Sequence, residues 1–536
     1  MEGGSQFGYR LLFIILLSNI IAIFLQNMTI RMGTVTGLDL ASASRRYFPK
    51  YLNLFLYLLA ELAIIATDMA EVIGSAIALN LLFPTLPLPA GVAITAADVF
   101  IILLFYSEEP NSGQAETASM RVIRVFETFV MFLVLAVGIC LSIILAESNA
   151  NAIDVLKGYV PTREIFTDPS CLYVAIGIIG ATVMPHNLYL HGFIVQSRCR
   201  TWRSKRPEVE QVEPGQWVIQ CATRQMVDEK SAANDNLVRD ASVVNMDDSE
   251  SNGRYYNMDR LRLYLRKSLR DNLVYGFIDL VIALIFAFYV NCAILAVASA
   301  NFYYGPEGQN QVVDDLFGAH HLLSVYLGPA AGVIFALALL CAGQSSTITA
   351  TLAGQVVMAG FLGMTTRPWV RRIVTRLVAI IPALVAASIA GRSGLSQLLV
   401  ASQVALSIQL PFAVVPLVYF TSRKHIMKLD LVHDAQGEKT ADTNRVTLSW
   451  IDRLFPRIPS HHLSFLPRAL RSNALKDDKS ETASTIRTFT PIPLKEWPKP
   501  LQYENGIISG IIASLISLLL IGLNGYLVVS LFMGNT

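Results

Sequence analysis

The chain has 536 residues, of which 53% are hydrophobic and only 15% charged, with a formal net charge of +2. Soluble domains carry closer to a quarter charged residues, so the composition excludes an ordinary soluble protein. No basic patch with interleaved aromatics is present to hold nucleic acid, and no phosphate loop, nucleophile elbow or zinc-hydrolase spacing marks an enzyme.

Ten apolar segments approach or exceed the ~20 residues that cross a bilayer. They are roughly 7–30, 52–83, 88–106, 123–146, 171–197, 272–299, 329–358, 373–390, 395–421 and 504–532. The first, from Phe7 to Ile30, is too long for the apolar part of a secretory leader and lacks a small-residue cleavage site. Two polar insertions, 198–270 and 422–503, are rich in Ser, Asn, Asp, Lys and Arg and nearly aperiodic. They are expected to be largely disordered or weakly folded. Cys140, Cys171, Cys199, Cys221, Cys292 and Cys341 form no C-x-x-C pair and read as small packing residues rather than a disulfide or zinc framework.

Loop charge predicts the orientation. The first loop holds Arg31, Arg45, Arg46 and Lys50, whereas 84–87 holds no basic residue. The loop 107–122 is mixed, with Glu108, Glu109 and Arg121. The insertion after the fifth span opens with Arg198, Arg200, Arg203, Lys205 and Arg206; 300–328 has no Lys or Arg; Arg367, Arg371 and Arg372 follow the seventh span. The basic loops, and with them both insertions, are therefore expected in the cytosol. An even number of spans then puts both ends of the chain outside, which one further span ahead of residue 1 would make ordinary.

Polar groups inside the spans are expensive and mark function. In 52–83, "LAELAIIATDMAEVIGSAIAL", Glu61, Asp68 and Glu71 fall within about 80° on a helix. Such a row suits proton relay, because burial raises a carboxylate pKa towards the working pH; structural pairing is the alternative reading. In 171–197, "GATVMPHNLYLHG" centres on Pro185, which removes a backbone donor, with Gly177 and Gly180 upstream expected to loosen the helix. Unwound backbone at membrane depth is tolerated only around a cavity, and broken helices mark transporter sites. Carbonyls such as those of Ala181 and Thr182 could bind a cation, and the Met184 thioether favours transition metals over Ca2+ or Mg2+. His186 reads as ligand, proton carrier or packed polar residue, with His191 and Asn187 in outer contact. His320 and His321, beside Asp314 and Asp315, read as a solvated outer loop.

In 329–358, "AGQSSTITATLAGQ" supplies small residues for close helix packing, with Gln344 and Gln355 as packing or hydrogen-bonding groups rather than ligands. Arg376 lies at the basic end of 373–390, to pair with the carboxylate row or to snorkel. In 395–421, Gln403 and Gln409 bring amides into the bundle, one of them a candidate metal ligand, and Pro411 and Pro416 are expected to break the helix.

"TDMAEVIG", "GATVMPHNLYLHG", "GQSSTIT" and "SQVALSIQLPFA" together resemble the NRAMP family of proton-coupled divalent-metal transporters, most like its fungal members. The likeness runs from about residue 7 to 421 and extends to the last span. It implies an all-α polytopic membrane protein with a LeuT-type inverted-repeat fold. Residues 1–197 would be the first repeat, incomplete, plus the broken sixth family helix. Then come the cytosolic insertion 198–270, the rest of the second repeat over 271–421, the cytosolic insertion 422–503, and the last span within 504–536.

The resemblance implies Mn2+ or Fe2+ as cargo, carried with protons into the cytosol across a plasma or endosomal/vacuolar membrane, and no resident cofactor. Met184, Ala181 and Gln403 would hold the metal. His186, Glu61, Asp68, Glu71 and Arg376 would carry protons. The family's Asp-Pro-Gly-Asn motif, on its first helix, does not occur in this chain, so about ten spans are expected, with that helix absent. Two other readings stand beside metal/proton symport. One is a truncated, non-transporting relative: a gene-model fragment, or a regulator or sensor working through its long cytosolic loops, which cytosolic regulators would engage. The other is an amino-acid transporter on the same scaffold, against which Met184 and the carboxylate row argue.

Overall fold

The computed structural model describes residues 2–95, 134–146, 151–196, 209–213, 216–219, 258–304, 316–363, 368–389, 391–433 and 501–533, with 128, 131 and 132. The expected spans 88–106 and 123–146 lie partly outside these residues, as does most of both insertions.

A short helix α1 (Glu2–Phe7) and a 3-10 turn (Gly8–Leu11) lead into α2 (Leu12–Thr36). Gly37 ends α2 at φ 67, a conformation that glycine adopts without a Cβ penalty. Asp39 then caps the small helix α3 (Leu40–Tyr47), and Pro49 precedes the long α4 (Lys50–Leu82). The broken span is α5 (Pro169–Val183) and α6 (Pro185–Ile194), and Asp168 caps α5 ahead of Pro169, whose missing N–H costs nothing there. After it come α7 (Met258–Ala298) with a π-turn at Ser299–Tyr303, and α8 (Leu316–Leu327) in the expected outer loop. The chain continues through α9 (Pro329–Leu362), α10 (Pro368–Ile389), α11 (Gly391–Ser422) and α12 (Ile507–Phe532).

Among the described residues, 7 helices are long and apolar enough to cross a membrane, with α5 and α6 counted as one. All coincide with expected spans. Two details differ. Pro411 and Pro416 lie inside a continuous α11, because neighbouring helices re-satisfy what a membrane proline frees, and α11 packs against α4, α5 and α12. Arg31 sits on α2 rather than in a loop, and donates to Tyr503 O at 2.9 Å and Asn505 Oδ1 at 3.3 Å.

The insertions also contribute order that their polarity hides. Strands β1 (Val209–Glu213) and β2 (Gln216–Ile219) pair antiparallel. β2 pairs in parallel with β3 (Lys428–His433), which pairs antiparallel with β4 (Leu501–Gln502). One small sheet, in the order β1-β2-β3-β4, thus joins the two insertions.

In the bundle, α2 packs against α5, α6 and α7, and α4 packs against α9, α10 and α11. Leu11, Leu12, Ile14, Leu25, Met28, Phe361 and Phe420 are fully buried. Lipid is as apolar as leucine, so close approach rather than water exclusion holds such helices together. Gly33 is the clearest case: a Cβ there would lie 2.2 Å from Gly192 O. Gly33→Ala is therefore expected to separate α2 from α6 and cost about 1–3 kcal/mol of overpacking. A lowered unfolding temperature in detergent would report it.

Candidate functional site

The break falls at Met184, with φ 38 and ψ 109, the one non-glycine residue at positive φ among the described residues. Pro185 explains it. A helical Ala181 carbonyl would accept from residue 185, and proline has no N–H to give. Met184 N still donates to Gly180 O at 3.2 Å, and Asn187 N donates to Met184 O at 3.1 Å. The break is thus one residue wide. The C-terminal carbonyls of α5 converge on it, and the negative end of a helix dipole favours a cation.

The two glycines expected to loosen the span instead sit in a continuous α5 and serve packing. A Cβ on Gly180 would lie 2.1 Å from Gln403 O and 2.7 Å from Ser407 N of α11; one on Gly177 would meet Val404 at 3.5 Å. This contact brings Gln403 within about a turn of the break. Gln403 Oε1 and Ser407 Oγ are buried with no hydrogen-bond partner among the described residues. They lie four apart, on one face of α11. Ser407 was not among the sequence candidates, although its spacing from Gln403 is readable in "SQVALS". Thr182 is fixed from another side: its Oγ1 donates to Ile178 O at 2.7 Å and accepts from Ser18 Oγ of α2 at 3.3 Å.

His186 is buried, and its Nδ1 lies 3.2 Å from Thr67 Oγ1 of α4. Thr67 donates its hydroxyl proton to Ala63 O at 3.0 Å. Nδ1 therefore carries the proton towards Thr67, and Nε2 keeps the acceptor lone pair. Thr67 was missed in the sequence, where a threonine on an apolar helix carries no signal. It adjoins Asp68 in sequence, so the bond ties the stretch of α4 that carries the carboxylate row to α6. Glu61 and Asp68 are buried and Glu71 is half-buried; Ser346 of α9 donates to Glu71 Oε1.

One and a half turns beyond His186, His191 Nδ1 meets Gln26 Oε1 of α2 at 3.2 Å. Gln344 is buried, and its Oε1 has no hydrogen-bond partner among the described residues. Arg376 is on α10, which packs against α4; its side chain lies outside the described set, as do Asp314 and Asp315. Among the described residues no three of His, Cys, Asp and Glu converge on one point. At the break lie the Met184 thioether and the C-terminal carbonyls of α5, with Gln403 of α11 packed about a turn away at Gly180.

A family model described as natural resistance-associated macrophage protein-like (Nramp) matches residues 1–221 and 256–434. The manganese transporter SMF1 of Saccharomyces cerevisiae is 43% identical over 441 residues, covering 82% of this chain and 70% of that protein. The iron transporter SMF3 of the same yeast is 40% identical over 450 residues, covering 83% and 82%. A divalent metal cation transporter MntH from Xanthomonas campestris is 41% identical over 452 residues, covering 84% and 82%. Among solved structures, a mutant of the Eremococcus coleocola manganese transporter superposes with a TM-score of 0.55 at 25% identity, covering 98% of this chain and 89% of that one.

Proposed function

Because the chain belongs to the Nramp family, we propose that it is an integral membrane carrier, not an enzyme, that moves Mn2+ or Fe2+ into the cytosol together with protons. The observation that carries the reading is the break at Met184: Pro185 has no N–H to offer the Ala181 carbonyl, and α11 packs at Gly180 through Gln403, whose buried Oε1 has no hydrogen-bond partner among the described residues. Names of the yeast and bacterial relatives support the cargo class.

In this reading the arriving dication exchanges water for Met184 Sδ, the Ala181 carbonyl and Gln403 Oε1. These donors are neutral, and the α5 dipole supplies only about half a charge. A nearby excess of positive charge favours loss of protons from the acidic groups on α4. His186 Nε2 is the proton acceptor on the metal side. Its bond to Thr67 sets the tautomer, and Glu61, Asp68 and Glu71 form the relay away from it, towards Arg376. His191 and Asn187 orient the cytosolic half of the broken span. Metal entry and proton movement are thus linked through charge around one helix break.

Uptake into proteoliposomes under an inward pH gradient tests this. Met184→Leu keeps volume and drops the sulfur. Inhibition of Mn2+ uptake by Cd2+ should weaken about tenfold, and Ca2+ should begin to compete. Equal Cd2+ inhibition of the native chain and Met184→Leu would remove the thioether from the site. Uptake of amino acids that Cd2+ leaves untouched would favour the other cargo class.

A further inference from the structure

The cytosolic end of α6 is closed by α3. α6 runs from the break past His186 and His191 to Gly192. A Cβ on Gly192 would lie 3.6 Å from Asp39 Cα. One on Gly360 of α9 would lie 3.0 Å from Asp39 Oδ1 and 2.5 Å from Ala41 Cβ. α3 therefore sits in a slot between α6 and α9: at Gly360 a side chain would collide with it, whereas at Gly192 it rests in ordinary van der Waals contact. Arg45 Nη1 donates to Ala359 O at 3.3 Å and Asn53 Nδ2 to Phe361 O at 2.9 Å, serving carbonyls at the open end of α9.

Asp39 is buried, and both its oxygens are spent on the first turn of α3: Oδ1 accepts from Ser42 N at 2.8 Å, Oδ2 from Ser42 Oγ at 2.7 Å. Burial pushes its carboxyl above the ordinary carboxylate range, and the Ser42 bonds pull the other way. A helix of 8 residues does not hold its shape in water unaided. α3 depends on this cap and on the slot. Its two joints, Gly37 at φ 67 and the extended Phe48–Pro49, can swing without unwinding α2 or α4. Phe48 is anchored against Phe420 of α11, ring centroids 4.9 Å apart, which makes it a pivot.

We propose that Asp39 is a positioning residue for cargo release: its cap holds α3 as a plug in the Gly192–Gly360 slot, and withdrawal of α3 opens the cytosolic mouth of the route from Met184. The inference rests on the transport reading above.

Leu190, buried between α6 and α9 with Ala353 and Val356, can report the plug. The test uses the full chain with its native cysteines replaced by alanine and Leu190→Cys added, in inside-out vesicles exposed to a maleimide. Asp39→Ala should raise the alkylation rate about fivefold, equivalent to about 1 kcal/mol of lost cap. Asp39→Asn, an equally good cap, should stay within about twofold of the parent. Gly360→Ala should raise the rate with Asp39 intact, and it carries the test where Asp39→Ala fails to reach the membrane. Unchanged alkylation in Asp39→Ala or Gly360→Ala, or a rise in Asp39→Asn equal to that in Asp39→Ala, overturns the proposal. Alkylation reads the plug whether or not Mn2+ moves, so absent Mn2+ uptake with altered alkylation counts against the cargo alone.

Discussion

Pro185→Ala is expected to lower Mn2+ uptake by about 100-fold or more while making the protein more stable. Alanine restores the N–H that an Ala181 carbonyl needs, and a continuous helix can then run through residue 184. The sparsely populated backbone of Met184, worth about 1–3 kcal/mol of strain, relaxes. The same change that removes the strain removes the carbonyl and turns the sulfur away. Uptake and thermal unfolding in detergent, measured on one preparation, check both halves. Retained uptake would detach the break from transport.

Gly180→Ala has the second large effect. The new methyl would meet backbone on two sides, Gln403 O at 2.1 Å and Ser407 N at 2.7 Å, and neither can rotate away. α5 and α11 must part, at about 1–3 kcal/mol or more. Displacing the Gln403 amide by about 1 Å should weaken function by roughly 100-fold, since positioning is steep in distance. Gly177→Ala is the control: its methyl would meet Val404 at an ordinary 3.5 Å and should change little. Mn2+ uptake by the two variants, at matched surface levels, separates a ligand displaced from a helix merely crowded.

The bundle was legible where hydropathy alone decides. Every described span-length helix falls on an apolar run, and Pro185 announced the break. What stayed hidden depends on which surfaces meet. Gly180 and Gly33 look alike in sequence to any helix-loosening glycine; only Gln403 O and Gly192 O opposite them reveal close packing. Thr67 became visible only as the partner of His186. Pro411 and Pro416 misled because the rule that proline ends a helix assumes water around the freed carbonyl. The strands were missed because three of the four are no longer than five residues and sit in polar surroundings without a sustained period of two.

The sheet that joins the insertions also sets a clock on biogenesis. Gln216–Ile219 pairs with Asp430–His433, more than 200 residues further along the chain. A ribosome adding about 5–20 residues per second delivers that partner only after about 10–40 s. During that interval β2 can form its hairpin with β1, but its other edge stays unsatisfied, and by then the broken span has already been made. The two insertions are therefore joined late, after the helices that carry the candidate site.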